Sequence, residues 1–202
     1  MLAHPIYQVS VKNSALRQVE ILTEVIQFKP NINQSSTLDI ENQLFTVITH
    51  PYAIVVTQDC DLDWDYKARE NIKLTGGKSA KLLNSILLCE IGTARSVRDN
   101  KDVITNRKDW ELVESHRHER FYFFEEITPE CDLEQVGLPE LTSDFKKVFG
   151  IDAEYLYHQL NIGIAKRRSV LISPYLEHFS NCYHNFHRRV ALPSPYKSMK
   201  EG

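Results

Sequence analysis

The segment Tyr52–Asp65, YAIVVTQDCDLDWD, constrains the fold more than any other part of the chain. Its first half, Ala53–Thr57, is almost entirely apolar, so a strand made from it must be covered on both faces and belongs in the middle of a sheet. Its second half empties into Asp59, Asp61, Asp63 and Asp65, the densest concentration of reactive side chains in the sequence. A site, if the chain has one, is expected where this strand ends.

Other strands are read from the same patterning. Residues Ile6 to Val11 alternate, and Val19 to Phe28 is rich in β-branched residues and stops at Pro30, before an Asn, Gln and Ser cluster that reads as a loop. Gln43 to Thr49 and Tyr52 to Gln58 form a pair of strands with a bend at His50-Pro51, because proline cannot donate to a ladder. Ser85 to Ala94 repeats the doubly covered pattern, and Thr93 to Arg98 reads as a helical turn. Lys67 to Lys81, with Gly76-Gly77, reads as a long polar loop. Asp102 to His116 suits a surface helix, Arg120 to Glu126 a strand, LTSDFKKVFGI a final strand, and Asp152 to Leu160 a short helix.

The C-terminal segment has the clearest helical period. Ser173 can cap it, Pro174 fits the first turn, and Tyr175, Phe179, Cys182, Phe186 and Val190 make an apolar stripe that ends before Pro193. Strands followed by a packing helix define an α+β chain: one domain over residues 1–202, with a strongly bent antiparallel sheet or partly open SH3-like barrel over about 6–150 and a helical element over about 152–192. Length (202 residues), 42% hydrophobic content and a net charge of −3 fit an ordinary globular core and give no global pull toward nucleic acid or membrane. The N-terminus lacks a signal-peptide pattern, no apolar run is long enough to span a bilayer, and four cysteines are scattered without a CxxC pair. The expectation is a cytosolic protein with reduced thiols.

Several groups of residues can carry chemistry. As a continued strand the aspartates would share one face about 7 Å apart, a repulsion relieved by water or a cation. Counted as a calcium loop, Asp59, Asp61 and Asp63 occupy positions one, three and five with Glu70 at twelve, but Trp64 stands where glycine is needed. LTGGKS lacks the first glycine of a phosphate loop, that position being Ile72. Cys60 is a candidate nucleophile only if a distant histidine serves it. His116 and His118 form one histidine group, and His178, His184 and His187 beside Cys182 another; the latter four cannot close a tetrahedral site alone, since His184 and His187 point away from His178 and Cys182. No metal site and no cofactor is expected. Lys166, Arg167 and Arg168, with Arg117, Arg120 and the aromatics Phe121 to Phe123, are ingredients of a single-stranded nucleic-acid surface, or else of helix ends and core.

QVEIL, HPYAIVVTQDCD and SILLCEI, taken in order from Gln18 to Ile91, resemble the strand order of PemK/MazF-type toxin proteins, a family of small SH3-like barrels. Val19 stands where that family has glycine, and His50 where it has the arginine before proline. The TQDCDL strand end is also similar to that of uncharacterised bacterial proteins. The resemblance implies a barrel core and a bacterial toxin or defence setting. Two functions follow as expectations: a binding or regulatory module for protein or single-stranded nucleic acid, or a small ribonuclease-like enzyme. In the enzyme Asp59 or Asp61 is the general base or a metal ligand, and Arg167 or Arg168 steadies phosphate charge. Thr57 and Gln58 either tie down the turn or, with Arg167 and Arg168, face a binding pocket.

Overall fold

Ala53–Val55 is the centre of the molecule, covered on both sides as its composition requires. Ile54 faces a core with Ile21, Cys89, Ile91 and Phe145, whereas Ala53 and Val55 face a second core with Leu22, Ile86 and Leu88. The computed structural model describes residues 6–30 and 45–189. Five expected features lie wholly or partly outside the described residues: the start of the N-terminal segment, the polar cluster after Pro30, the first residues of the Gln43 strand, Val190 and Pro193.

The elements run β1 (Tyr7–Val9), β2 (Glu20–Pro30), β3 (Phe45–Val55), α1 (Asp59–Thr75), β4 (Ser85–Thr93), α2 (Ala94–Asp99), α3 (Arg107–Glu114), β5 (Phe121–Phe124), β6 (Leu141–Asp152), α4 (Ala153–Asn161), β7 (Lys166–Leu171) and α5 (Tyr175–His187). The strands form one seven-stranded antiparallel sheet in the order β1-β7-β2-β3-β4-β6-β5. The fold is α+β, as expected, but the sheet does not close into a barrel; it ends at β1 and β5.

Leu62 of α1 and Ala153 and Leu156 of α4 complete one core, and Phe179 and Phe186 of α5 complete the other. Fully burying a side chain such as Phe179 stabilises the fold by about 1.5–3 kcal/mol. A third, smaller core joins Ala94, Trp110 and Val113 to Phe121 at the β5 end. No helix among the described residues is long and apolar enough to cross a membrane.

Five expectations are corrected. His50-Pro51 does not divide two strands: β3 runs through it, and Glu24, across the ladder between the pairs Thr23–Tyr52 and Val25–His50, adopts φ 60° where Pro51 has no N–H to offer. Of the expected loop Lys67–Lys81, the part up to Thr75 is instead the continuation of α1, which ends where Gly76 (φ 70°) donates its N–H to the Ile72 carbonyl, and only residues 76–81 are irregular. The surface helix is confined to Arg107–Glu114, capped by the Asn106 side chain. The last strand is not β6 but β7, which opens Lys-Arg-Arg. The final helix begins at Tyr175, with Pro174 at its cap position and no side-chain cap.

β2 and β3 outrun the rest of the sheet. Among the described residues, β2 has no strand on its β7 side beyond Thr23, and β3 pairs with β4 only from Tyr52 onward. At Ile26 the exposed edge of β2 is finished by a side chain: Gln159 of α4, fully buried, accepts from Ile26 N at 2.8 Å and donates to Ile26 O at 2.9 Å. On β6, residues 144–147 lie opposite the single Glu90 of β4, a wide irregularity that carries Phe145 into the core.

Candidate binding cleft

The strand end TQDCD is a strand-to-helix junction. Thr57 Oγ1 accepts from Leu87 N at 2.8 Å and so extends the β3–β4 ladder by one side chain. Gln58 occupies the cap position of α1, and its Oε1 lies 3.8 Å from the Cys60 thiol. Asp59 begins the helix with both oxygens engaged: Oδ1 accepts from Gln18 N at 2.6 Å and Arg17 Nε at 3.0 Å, and Oδ2 from Arg17 Nη2 at 2.8 Å. It fastens α1 to the chain entering β2.

On a helix, residues two apart lie about 200° apart, so the four aspartates do not share a face. Asp61 is half-exposed in the first turn, Asp63 pairs with Lys67 at 2.5 Å on the surface, and Asp65 is turned fully inward. Among the described residues no three histidine, cysteine, aspartate or glutamate side chains converge to hold a metal ion.

The expected phosphate-binding arginines are in β7, where alternation sends them to opposite faces. Arg167 gives its Nε and Nη2 to Glu20 at 2.6 and 2.9 Å and bonds the carbonyls of Ser14 and Ala15. Arg168 forks onto Asp132 at 2.7 and 2.6 Å and reaches the Gly137 carbonyl. Both are under 9% exposed and engaged by carboxylates. Their partners are distant in sequence, so nothing near Arg167 and Arg168 announced them.

Arg167 does form part of a wall. Between the Lys12–Leu16 segment, the second half of α1, the end of α4 and the start of β7 lies a cleft of about 1230 Å³. Asp59, Asp61 and Arg168 are not in its lining. Arg69 and Tyr157 line the cleft: the Arg69 guanidinium lies over the Tyr157 ring, 4.9 Å from its centre, and its Nε donates at 2.8 Å to the buried Asp65, which also accepts from Leu83 N at 2.8 Å. Burial, and then the nearby Asp65 charge, raise the Tyr157 hydroxyl well above the ordinary tyrosine range, so it stays neutral. Tyr66 donates to the Asn13 carbonyl at 3.2 Å and ties α1 to the opposite wall.

Leu16, Leu82, Leu133 and Leu160 supply apolar surface to the cleft, and Lys12, Lys73 and Lys166 supply charge. Lys73 is paired to Glu70 at 2.6 Å. The carboxylates nearest Lys166 stand at 3.5 and 3.8 Å, and Lys12 has no ion pair among the described residues. Two of the three ammonium groups are thus loosely held or unpaired. Of the cleft's basic groups, Lys166 and Arg167 were singled out from sequence, as parts of a nucleic-acid surface, and Arg167 is instead held by Glu20.

On the other face of the sheet the structure brings together one member of each histidine group, His116 and His178. His116 packs at a tilt against Tyr122 (4.3 Å between ring centres) and meets His178 edge-on, and His178 Nδ1 is 3.1 Å from the Tyr122 hydroxyl. Cys182 Sγ is 3.9 Å from His178 Nε2. His118 packs on Phe121, while His184 and His187 pack around Tyr183, away from this group.

No family model, no curated protein and no solved structure matches the chain.

Proposed function

We propose that the protein is a binding module whose cleft between α1, α4 and β7 receives a segment of a partner protein carrying apolar side chains and carboxylates. The observation that carries this reading is the meeting in one cleft of Leu16, Leu82, Leu133 and Leu160 with the ammonium groups of Lys12, which has no ion pair among the described residues, and Lys166, whose carboxylate partners Glu24 and Glu134 stand at 3.8 and 3.5 Å. The volume exceeds the roughly 300–1,000 Å³ of small-molecule pockets, which favours a length of chain as the occupant. Apolar contacts supply the affinity of such a groove, and lysines at its rim set orientation and on-rate. A hydrolytic role at the TQDCD end has less support, because Asp59 is held by Arg17 and the Gln18 amide and the two β7 arginines are consumed by carboxylates.

The test is to pan a random twelve-residue peptide display library against the protein and to measure the enriched peptides by fluorescence anisotropy. Expected are peptides rich in leucine or aromatic residues with aspartate or glutamate, weakened at least tenfold by Lys12→Glu plus Lys166→Glu and several-fold by moderate salt. Peptides without carboxylates, or indifferent to the double substitution, would refute the assignment. A twenty-nucleotide uridylate probe serves as the rival. Tight binding of that probe, falling steeply with salt and lost in the same variant, would make nucleic acid the partner instead.

A further inference from the structure

Away from the binding cleft, the last turns of α5 and the segment 116–119 before β5 flank a second cavity of about 230 Å³. We propose that this cavity binds a phosphate monoester, held by Arg117, His118, Asn185 and Arg189. The site is independent of the cleft and is defined by the donors gathered on one small space.

Arg117 spends its Nε on the Ser115 hydroxyl at 3.1 Å and has no ion pair among the described residues, so both terminal nitrogens of its guanidinium are left to donate. Arg189 is fixed from three sides: Nε donates to the Phe186 carbonyl and Nη1 to Glu119, each at 2.9 Å, and the guanidinium lies over the Phe186 ring, 3.8 Å from its centre. Its Nη2 is left over, and its charge offsets the negative end of the α5 dipole. At His118, Nδ1 accepts from Arg120 N at 3.1 Å; a backbone N–H can only donate, so the ring proton sits on Nε2 and makes that nitrogen a donor. Burial outweighs the nearby Asp109 charge and lowers the affinity of His118 for a further proton, so it serves as a neutral N–H. Asn185 is oriented in the same way, since its Oδ1 accepts from Arg188 Nη2 at 2.6 Å and leaves the NH₂ as the open end. His116 also lines the cavity, but its Nε2 is taken by the Phe123 carbonyl at 2.8 Å.

Donors on both walls suit a tetrahedral oxyanion, whose oxygens point in different directions, better than a planar carboxylate, which one guanidinium fork satisfies. Charge narrows the class further. Two guanidiniums against one carboxylate, Glu119, leave a single positive charge in the lining. The Glu119 side chain is 76% exposed, so it can swing into water when an anion takes its place on Arg189, and the two guanidiniums then match a dianion. The cavity is roomier than a bare oxyanion needs and smaller than the roughly 300–1,000 Å³ that encloses a whole small-molecule ligand. Phe186 and Cys182 give it an apolar side, which fits the first atoms of an ester's stem.

The probe is phenyl phosphate, added to the full chain in phosphate-free buffer, with calorimetry for affinity and amide nitrogen–proton correlation spectra for location. The expected result is saturation at one ester per chain, with amide shifts concentrated in residues 116–119 and 182–189. Affinity should fall about tenfold in Arg117→Ala and in Arg189→Ala, and rise several-fold in Glu119→Gln, where no carboxylate competes for Arg189. Far-UV circular dichroism of each variant checks that the fold is in place. Lys12→Glu plus Lys166→Glu should leave the affinity unchanged, which separates this site from the cleft. Inorganic phosphate should bind several-fold more weakly for want of a stem, and methyl phenyl phosphate, a diester with one charge, about tenfold more weakly. Affinity indifferent to Arg117→Ala, weakened by Glu119→Gln, or lost in the double lysine variant would each overturn the site. Equal affinity for inorganic phosphate would overturn the ester, and equal affinity for the diester would overturn the monoester and make a nucleic-acid backbone the better ligand.

Discussion

Replacing Asp132 by asparagine keeps the shape of the residue and removes its charge, and the structure allows the consequence to be worked out atom by atom. Asp132 is 1% exposed. Its Oδ1 accepts from Arg168 Nε and Glu134 N, and its Oδ2 from Arg168 Nη2, Val136 N and Gly137 N. Every neighbour is a donor. Whichever way an asparagine amide is turned, its NH₂ faces at least two N–H groups, and Arg168 keeps a buried charge with no counter-charge.

Breaking such a buried pair costs about 3–5 kcal/mol, which in a chain of this length corresponds to a fall in Tm of roughly 6–20 °C. The assay is thermal and urea unfolding followed by tryptophan fluorescence. The pH dependence supplies a second readout. Burial alone would raise the Asp132 carboxyl, but the Arg168 bond and the amides of Glu134 and Val136 outweigh it and hold it below its ordinary 3.8. A carboxyl lowered in the fold stabilises above its unfolded value and loses that contribution as pH falls through its folded value. The gap between wild type and Asp132→Asn should therefore be full at neutral pH and narrow below about pH 3.8. A destabilisation under 1 kcal/mol, or a gap that does not shrink with acid, would refute the reasoning.

Three further outcomes are expected. Gln159→Leu should destabilise by about 1–3 kcal/mol and speed hydrogen exchange at Ile26, because both backbone groups of that residue lose their partner; unchanged exchange there would show that water serves equally well. Asp59→Ala should cost about 1–2 kcal/mol in urea unfolding while Asp59→Asn recovers most of it, since an amide oxygen can still accept from Gln18 N; equal losses in both would assign the effect to Arg17. The His50 contact, acting against burial and helped by Lys147, pulls the Glu90 carboxyl down to about 2. Its stabilising effect is thus present above the ordinary 4.5 and disappears as pH falls toward 2, so Glu90→Gln should flatten the acid limb of the stability profile in that window; an unaltered limb would exclude the group.

How much of this could be read from the residues depended on whether an element's covering was apolar and local. Ile54 and Val55, or Leu88 and Cys89, are adjacent apolar residues facing opposite cores, and such runs identify interior strands without further information. The stripe of α5 was visible for the same reason, with Phe179 and Phe186 buried as their spacing required. α1 was hidden because the residues it buries are Leu62, Asp65 and Ala68: a carboxylate sits in the middle of the inward face and erases the hydrophobic period. β7 was hidden because it opens Lys-Arg-Arg, which reads as surface until Glu20 and Asp132 arrive from elsewhere in the chain. The cleft is built from the second half of α1 and the start of β7, the two elements whose inward groups are charged, and so it was invisible from sequence.

The place of β7 in the sheet also governs when the protein can be assembled. Gln8 pairs with Val170 and Glu20 with the same residue from the other side, so the first two strands are held apart until the seventh fills the gap between them. A ribosome adding about 5–20 residues per second delivers β7 many seconds after β1 and β2 have emerged. During that interval Glu20 is without its arginine and the edges of both early strands are bare. The fold therefore closes late, by insertion of a strand and not by growth from one end, and contacts between such remote segments place it among slow-folding topologies. A chaperone that shields unpaired strands would be needed most before residue 171 is made.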